Sequence, residues 1–102
     1  MASSRWEMVE NTEDGLISIS GEIDYTVTPE LRSRFRSFID STLGDIKLDL
    51  GYLQYLDSSG LAVLIEARRI LTEKSRSLTI LSLTPQVKKI LQLTQVSSLF
   101  GL

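Results

Sequence analysis

The chain has 102 residues, of which 42% are hydrophobic and 24% are charged, and its formal net charge is −2 at pH 7. This length and composition predict one soluble domain with a single hydrophobic core, and they exclude a disordered chain. The slight negative charge argues against nucleic-acid binding, and the lack of cysteine and histidine excludes disulfides, thiolate chemistry, histidine-dependent catalysis and the common zinc sites.

The N-terminal half is predicted to begin with a hairpin. Residues 5–10 and 16–20 have strand character, and the turn-forming residues 11–15 between them indicate antiparallel pairing. A helix is then predicted to begin at Thr28, whose hydroxyl can cap it, with a proline in its first turn. Gly44 is predicted to end this helix.

The first helix has an apolar stripe of regular spacing. Three basic residues fall outside that stripe, which indicates a solvated face rather than a binding site. These residues are Arg32, Arg34 and Arg36.

Strands and helices alternate along the rest of the chain. A strand is predicted over residues 46–50, which leads through residues 51–56 to a helix over residues 59–74, and another strand is predicted over residues 78–83. Thr84 and Pro85 then open a third helix. This alternation predicts a largely parallel sheet with crossover helices.

Three residues that can cap a helix follow one another before the second helix: Asp57, Ser58 and Ser59. One cap would be enough to satisfy the free N–H groups there. A phosphate on Ser58 would suit the same position, because free N–H groups and the positive end of the helix dipole stabilise it. The residues alone leave both interpretations open, a structural cap and a modification site.

A catalytic role for Ser58 lacks the necessary partners. The chain has no histidine to act as a base, no Gly-x-Ser-x-Gly elbow and no Ser-x-x-Lys spacing. Gly60 is followed by Leu61 and Ala62 rather than by the Lys-Ser or Lys-Thr of a phosphate-binding loop. We therefore expect no enzymatic activity, no cofactor and no bound metal.

Two apolar residues of the second helix, Leu61 and Ile65, fall on or near its polar side. Either another segment covers them, or they form an exposed apolar pair beside Ser58 onto which a partner docks. Asp24 also has two interpretations, as a turn residue or as an acidic contact near the start of the first helix. The apolar face itself is formed by Val63, Leu64, Ala67, Ile70 and Leu71.

Four segments in order resemble the STAS family, and within it the bacterial anti-sigma-factor antagonists. They are Gly-Glu-Ile-Asp at 21–24, Leu-Asp-Leu at 48–50, Leu-Asp-Ser-Ser-Gly-Leu at 56–61 and Pro-Gln-Val-Lys-Lys-Ile-Leu at 85–91. The resemblance implies one STAS domain over residues 1–102. It also implies an α/β fold, with a mixed, mainly parallel sheet of four to five strands packed against three to four helices.

The same resemblance implies partner switching. The unphosphorylated protein would bind an anti-sigma factor, usually a GHKL-type serine kinase, which uses ATP and magnesium to phosphorylate Ser58 and then dissociates. A PP2C-type phosphatase would reverse the modification, and the free protein would be a monomer. Partner contacts are predicted at Asp24, Asp57, Ser58, Ser59, Gly60, Leu61 and Ile65. The alternative is a STAS scaffold subunit of a transporter or sensory complex that is not phosphorylated.

The two ends of the chain give predictions about location and about the last structural element. Residues 1–4 are polar and lack the apolar region of a signal peptide, and no apolar run is long enough to span a membrane, so we expect a cytoplasmic protein without membrane insertion. Gln95 stands where many relatives have glycine, and the chain stops at Leu102 where relatives often continue. The form of the last element therefore stays open.

Overall fold

Four strands form one mixed sheet in the order β1-β2-β3-β4. The computed structural model describes residues 5–102, and the polar residues 1–4 lie outside this part. The first two strands pair antiparallel, as the hairpin prediction requires, whereas β2–β3 and β3–β4 pair parallel. The prediction of a mainly parallel mixed sheet is confirmed. The strands are β1 (Trp6–Asn11), β2 (Leu16–Ile23), β3 (Ile46–Leu56) and β4 (Leu78–Leu83).

Three α-helices and one short 3₁₀ helix complete the fold. Helices α1 and α2 connect the parallel strands and pack against each other, as crossover connections do. The 3₁₀ helix follows α3 and contacts α2 and β4. In the part of the chain that the structure describes, no helix is long and apolar enough to cross a membrane. The helices are α1 (Thr28–Asp40), α2 (Ser58–Glu73), α3 (Pro85–Leu93) and the 3₁₀ helix (Ser97–Phe100).

The two faces of the sheet differ in burial. Side chains alternate along a strand, and one set of alternating residues forms the core with the helices. The opposite face is more polar and is exposed or half-buried. The inner set includes Trp6, Met8, Ile17, Ile19, Ile46, Leu48, Leu78 and Ile80. The outer set includes Glu7, Val9, Ser18, Ser20, Lys47 and Asp49.

Irregular pairing in β3 changes which of its residues face outward. Ser18 pairs with Asp49, but Ser20 pairs with Tyr52 and Glu22 with Tyr55, so β3 contains extra residues relative to β2. Bulges of this kind shift the alternation of side chains. As a result, Tyr52 and Tyr55 lie on the outer face together with the outward residues of β2.

The start of α1 differs from the prediction. Val27 occupies the cap position without a side-chain hydrogen bond, so the predicted cap at Thr28 is wrong. The Thr28 hydroxyl is buried and donates instead to the Tyr25 carbonyl oxygen at 3.0 Å, which stabilises the preceding turn. The capping prediction for Thr84 is confirmed, because its Oγ1 accepts a hydrogen bond from the Val87 N–H at 3.3 Å.

The end of α1 is held by a residue from another part of the chain. The helix ends at Asp40, before the predicted stop at Gly44. Arg76 donates from Nε to the Gly44 carbonyl at 2.7 Å, from Nη1 to the Ile39 carbonyl at 3.1 Å and from Nη2 to Thr42 Oγ1 at 2.7 Å. Arg76 therefore joins the last turn of α1 to the loop that follows it.

The three arginines of α1 have different surroundings. Arg32 and Arg36 are exposed, and Arg32 pairs with Glu66 at 3.1 Å. Arg34 is half-buried, lies 5.9 Å from the centre of the Trp6 ring and donates to the Met8 carbonyl at 2.9 Å. Because β1 is an edge strand, this contact satisfies a carbonyl that no neighbouring strand can reach.

Candidate functional site

Asp57 is the residue that caps α2. Its Oδ1 accepts hydrogen bonds from the Gly60 N–H at 2.9 Å and from the Ser59 hydroxyl at 2.6 Å. The Asp57 N–H donates to the Ile23 carbonyl at 3.3 Å, which ties the start of α2 to the end of β2. Of the three cap-forming residues in the turn, the carboxylate therefore takes the structural role.

The two serines of the turn differ in what their hydroxyls contact. Ser58 is the first residue of α2 and is exposed, and its hydroxyl has no hydrogen-bond partner within residues 5–102. Ser59 is half-buried, and its hydroxyl is bound to Asp57. Only the Ser58 Oγ is therefore both accessible and free to react, and it sits at the positive end of the α2 dipole.

Gly60 allows α2 to pack closely on the sheet. A Cβ at this position would lie 2.6 Å from Leu56 Cδ1 and 2.8 Å from Ile23 Cγ2, both below normal contact distance. The residue is buried. Gly60 thus sets the position of the Ser58 backbone, and it offers no side chain to a partner.

The interpretation of Leu61 and Ile65 as an exposed apolar pair is wrong. Leu61 is only 4% exposed and belongs to the core, and Ile65 is half-buried against it. The C-terminal segment packs on this flank of α2, where Arg68 Nε donates to the Leu99 carbonyl at 2.9 Å. Arg68 lies seven residues after Leu61 and so on the same side of the helix.

Asp24 has its carboxylate engaged within the chain. Oδ2 accepts from Arg5 Nη2 at 2.8 Å, and Oδ1 accepts from the Thr26 hydroxyl and from the Thr26 N–H at 2.9 Å. The two bonds from Thr26, with a smaller effect of Arg5, lower the pKa of Asp24. The interpretation as a turn residue is confirmed, and contact with a partner stays a prediction.

Exposed aromatic residues near this turn were not predicted from the sequence. All three tyrosines of the chain are exposed, Tyr25 at 72%, Tyr52 at 77% and Tyr55 at 50%. Two of them lie in the last five residues of β3. The available signal was the break in the alternation of apolar residues after Leu50, which marks the bulged part of the strand.

A second carboxylate lies on the outer face of the sheet. Asp49 Oδ1 accepts from the Ser82 hydroxyl at 2.6 Å and from the Gly51 N–H at 2.9 Å. The bond from Ser82, followed by that from Gly51, lowers the pKa of Asp49. This residue therefore joins β3 to β4 and remains ionised at neutral pH.

Two grooves of the protein lie away from the Ser58 turn. One groove of about 540 Å³ lies between the C-terminal halves of α1 and α2, and another of about 440 Å³ lies between β4 and α3. Neither is lined by any residue of the turn at 57–60. No group of three or more acidic side chains within residues 5–102 is arranged to hold a metal ion. An open surface with a free hydroxyl suits contact with another protein better than binding of a small molecule.

Comparison with known proteins gives a consistent result. Residues 5–102 match the family model for the STAS domain. The anti-sigma-B factor antagonist of Staphylococcus aureus strain NCTC 8325 is 24% identical over 83 residues, which cover 81% of this chain and 77% of that protein.

Two proteins of known structure share the fold. An anti-sigma factor antagonist from Mycobacterium paratuberculosis has a TM-score of 0.82 and 23% identity, with 93% of this chain and 82% of that chain covered. The anti-sigma factor antagonist SpoIIAA in its unphosphorylated form has a TM-score of 0.74 and 21% identity, with 91% and 83% covered. The Bacillus cell fate determinant SpoIIAA in the phosphorylated form has a TM-score of 0.68 and 20% identity, with 91% and 86% covered.

Proposed function

The chain belongs to the STAS domain family, and from this premise we propose that it is an anti-sigma-factor antagonist controlled by phosphorylation of Ser58. Its unphosphorylated form binds an anti-sigma factor that is a GHKL-type serine kinase, and phosphorylation releases that partner. A PP2C-type phosphatase restores the binding form. The observation that carries the proposal is the exposed Ser58 hydroxyl, free of bonds within residues 5–102, at the start of α2.

The proposal extends to the rest of the protein. Residues 1–102 form one domain that acts in the cytoplasm as a binding protein rather than as an enzyme, and the free protein is a monomer. The names of its relatives support the regulatory role, since they include anti-sigma factor antagonists and a protein with both a phosphorylated and an unphosphorylated form.

The fold is expected to tolerate the phosphate. The Ser58 hydroxyl has no bond to lose within residues 5–102, and the cap is made by Asp57. A phosphate adds about −1.5 to −2 charges, and the N–H groups at the start of α2 partly offset them. Phosphorylation therefore changes the surface that a partner meets and leaves the core unchanged.

Phosphorylation is expected to release the kinase because its bound nucleotide lies close to Ser58. Ser58 must approach the terminal phosphate of ATP, so the nucleotide phosphates lie beside it in the complex. Once Ser58 carries a phosphate, like charges face each other at close range and the complex is destabilised. We propose that the kinase contacts Asp24, Asp57, Ser58, Ser59 and Ile65. Gly60 and Leu61 are buried and support the turn from within the core.

Phosphate transfer tests the proposal directly. Each GHKL-type serine kinase encoded in the same genome would be purified and incubated with this protein and magnesium ATP, and the product analysed by mass spectrometry. We expect one kinase to add a single phosphate to the wild-type protein and none to Ser58→Ala. Ser59→Ala is the matched control and should still be phosphorylated. A phosphate that persists in Ser58→Ala, or no transfer by any of these kinases, contradicts the proposal.

The effect on binding is tested with Ser58→Asp. We expect this variant to bind the active kinase at least tenfold more weakly than wild type while keeping a native circular-dichroism spectrum. Unfolding of the variant would show that Ser58 serves the structure instead. A stable complex with transporter subunits, in cells where Ser58 is unmodified, would favour the alternative scaffold role.

A further inference from the structure

Two tyrosines stand on the outer face of the sheet next to the Ser58 turn. Across the sheet, Ser20 of β2 pairs with Glu7 of β1 on one side and with Tyr52 of β3 on the other. Two residues further along β2, Glu22 pairs with Tyr55 of β3. We call the side chains of Glu7, Glu22, Tyr52 and Tyr55 the tyrosine face. Both residues are at least half exposed, Tyr52 at 77% and Tyr55 at 50%. Large aromatic side chains left exposed together are typical of surfaces that bind other proteins.

The tyrosine face is acidic at the end nearest Ser58. Glu7 and Glu22 lie on it, and Asp24 and Asp57 follow at its edge. Among residues 5–102, Arg5 pairs with this end, at 2.8 Å from Asp24 and 3.7 Å from Glu22, and it offsets part of the negative charge. The lysine on the same face, Lys47, lies near the opposite end of β3. The local charge therefore complements a basic partner surface.

We propose that the tyrosine face is the docking surface for the serine kinase, and that the kinase presents arginine or lysine side chains to it. This inference rests on the function proposed above and names the surface that provides most of the affinity. A guanidinium or ammonium group can lie over a tyrosine ring while it pairs with Glu7 or Glu22. The contact would take the place of the apolar pair that the sequence predicted on α2.

The tyrosine face lies next to Ser58, but the two have different roles in binding and release. Tyr55 precedes Ser58 by three residues, and the Asp57 N–H is bonded to Ile23, the residue that follows Glu22. One partner can therefore cover both. The tyrosine face meets cations of the kinase and holds it, whereas Ser58 meets its nucleotide phosphates and triggers release.

The test uses the full chain and the kinase that phosphorylates Ser58 in the assay above. Binding would be measured by surface plasmon resonance for the unphosphorylated wild type and for Tyr52→Ala/Tyr55→Ala. We expect the double variant to bind at least tenfold more weakly. Leu43→Ala is the matched control, because Leu43 is also an exposed apolar residue but lies in the loop before β3, away from Ser58. It should bind like wild type.

The charges are tested separately with Glu7→Gln/Glu22→Gln. We expect a lower association rate at low salt and a weaker dependence of that rate on ionic strength than in wild type. Circular dichroism of each variant checks the fold, which exposed substitutions should leave intact.

Failure of this inference can be distinguished from failure of the proposed function. If the kinase phosphorylates Ser58 and binds the tyrosine and glutamate variants as tightly as wild type, the tyrosine face is not the docking surface, although the switch stands. If no kinase phosphorylates Ser58, both proposals fall. Weaker binding of the Leu43→Ala control by the same factor would also overturn the assignment, because the effect would not be local.

Discussion

The residues at the start of α2 have different roles. Asp57 has a structural role, whereas the Ser58 hydroxyl is free to be modified. Asp57 holds the Gly60 N–H and the Ser59 hydroxyl, whereas the Ser58 hydroxyl projects from the exposed first residue of the helix. A carboxylate is a strong acceptor and suits the cap. The phosphorylation that we propose at Ser58 would therefore break no bond that supports the fold within residues 5–102.

Stability measurements should distinguish the structural role of Asp57 from that of Ser58. Asp57→Ala removes the acceptor for two donors, so we expect the free energy of unfolding to fall by about 1 kcal/mol. Ser58→Ala, as the matched neighbour, should change it by less than about 0.5 kcal/mol. Both values would be obtained from urea denaturation followed by circular dichroism. An equal loss in the two variants would mean that Ser58 also supports the helix.

At the scale of the elements, the C-terminus of α3 is followed by a non-glycine residue in a backbone conformation that favours glycine. Gln95 follows the helix with φ at +61°, in the left-handed region that favours glycine. The Val96 N–H donates to the Leu91 carbonyl at 3.1 Å and closes the helix there. The glycine expected from the STAS resemblance therefore has a conformational reason, and glutamine adopts the same backbone with strain.

Replacing this residue should relieve the strain. A non-glycine residue loses about 1–2 kcal/mol in the left-handed region, and the greater freedom of glycine in the unfolded chain offsets part of that gain. We expect Gln95→Gly to raise the free energy of unfolding by about 0.5–1 kcal/mol. Gln95→Asn should fall between glycine and wild type, and Gln95→Val should be less stable than wild type. Urea denaturation of the series would check this order, and a loss of stability in Gln95→Gly would contradict the explanation.

At the scale of the whole molecule, the last residues complete the core. The 3₁₀ helix places Phe100 in the interior with no exposed surface, and the neighbouring Leu99 carbonyl accepts from Arg68 of α2. The 3₁₀ helix thus packs against α2 and β4. The C-terminal element that the sequence left open is a short 3₁₀ helix.

Loss of this closing contact should affect the entire domain. Truncating a fully buried phenylalanine costs about 3–5 kcal/mol, so we expect Phe100→Ala to lower the free energy of unfolding by about 3 kcal/mol. Leu102→Ala, at a half-exposed position two residues later, should change it by less than about 0.5 kcal/mol. Thermal and urea denaturation of both variants would test this. A small effect of Phe100→Ala would mean that the C-terminal segment packs too loosely to cover α2.

Local sequence patterns predicted the order and type of the elements and singled out Ser58. Apolar spacing, turn residues and the Thr84 cap act over a few neighbouring residues, so they can be read along the chain. The tertiary structure decided which polar groups meet and which apolar groups are covered. Leu61 is buried by the packing of α2 in the core, Arg68 of α2 binds the Leu99 carbonyl, and Arg76, which follows α2 in the chain, binds the end of α1. The bulges in β3 turn Tyr52 and Tyr55 outward only through pairing with β2. Contacts between distant segments depend on the packing of whole elements, which local patterns do not encode.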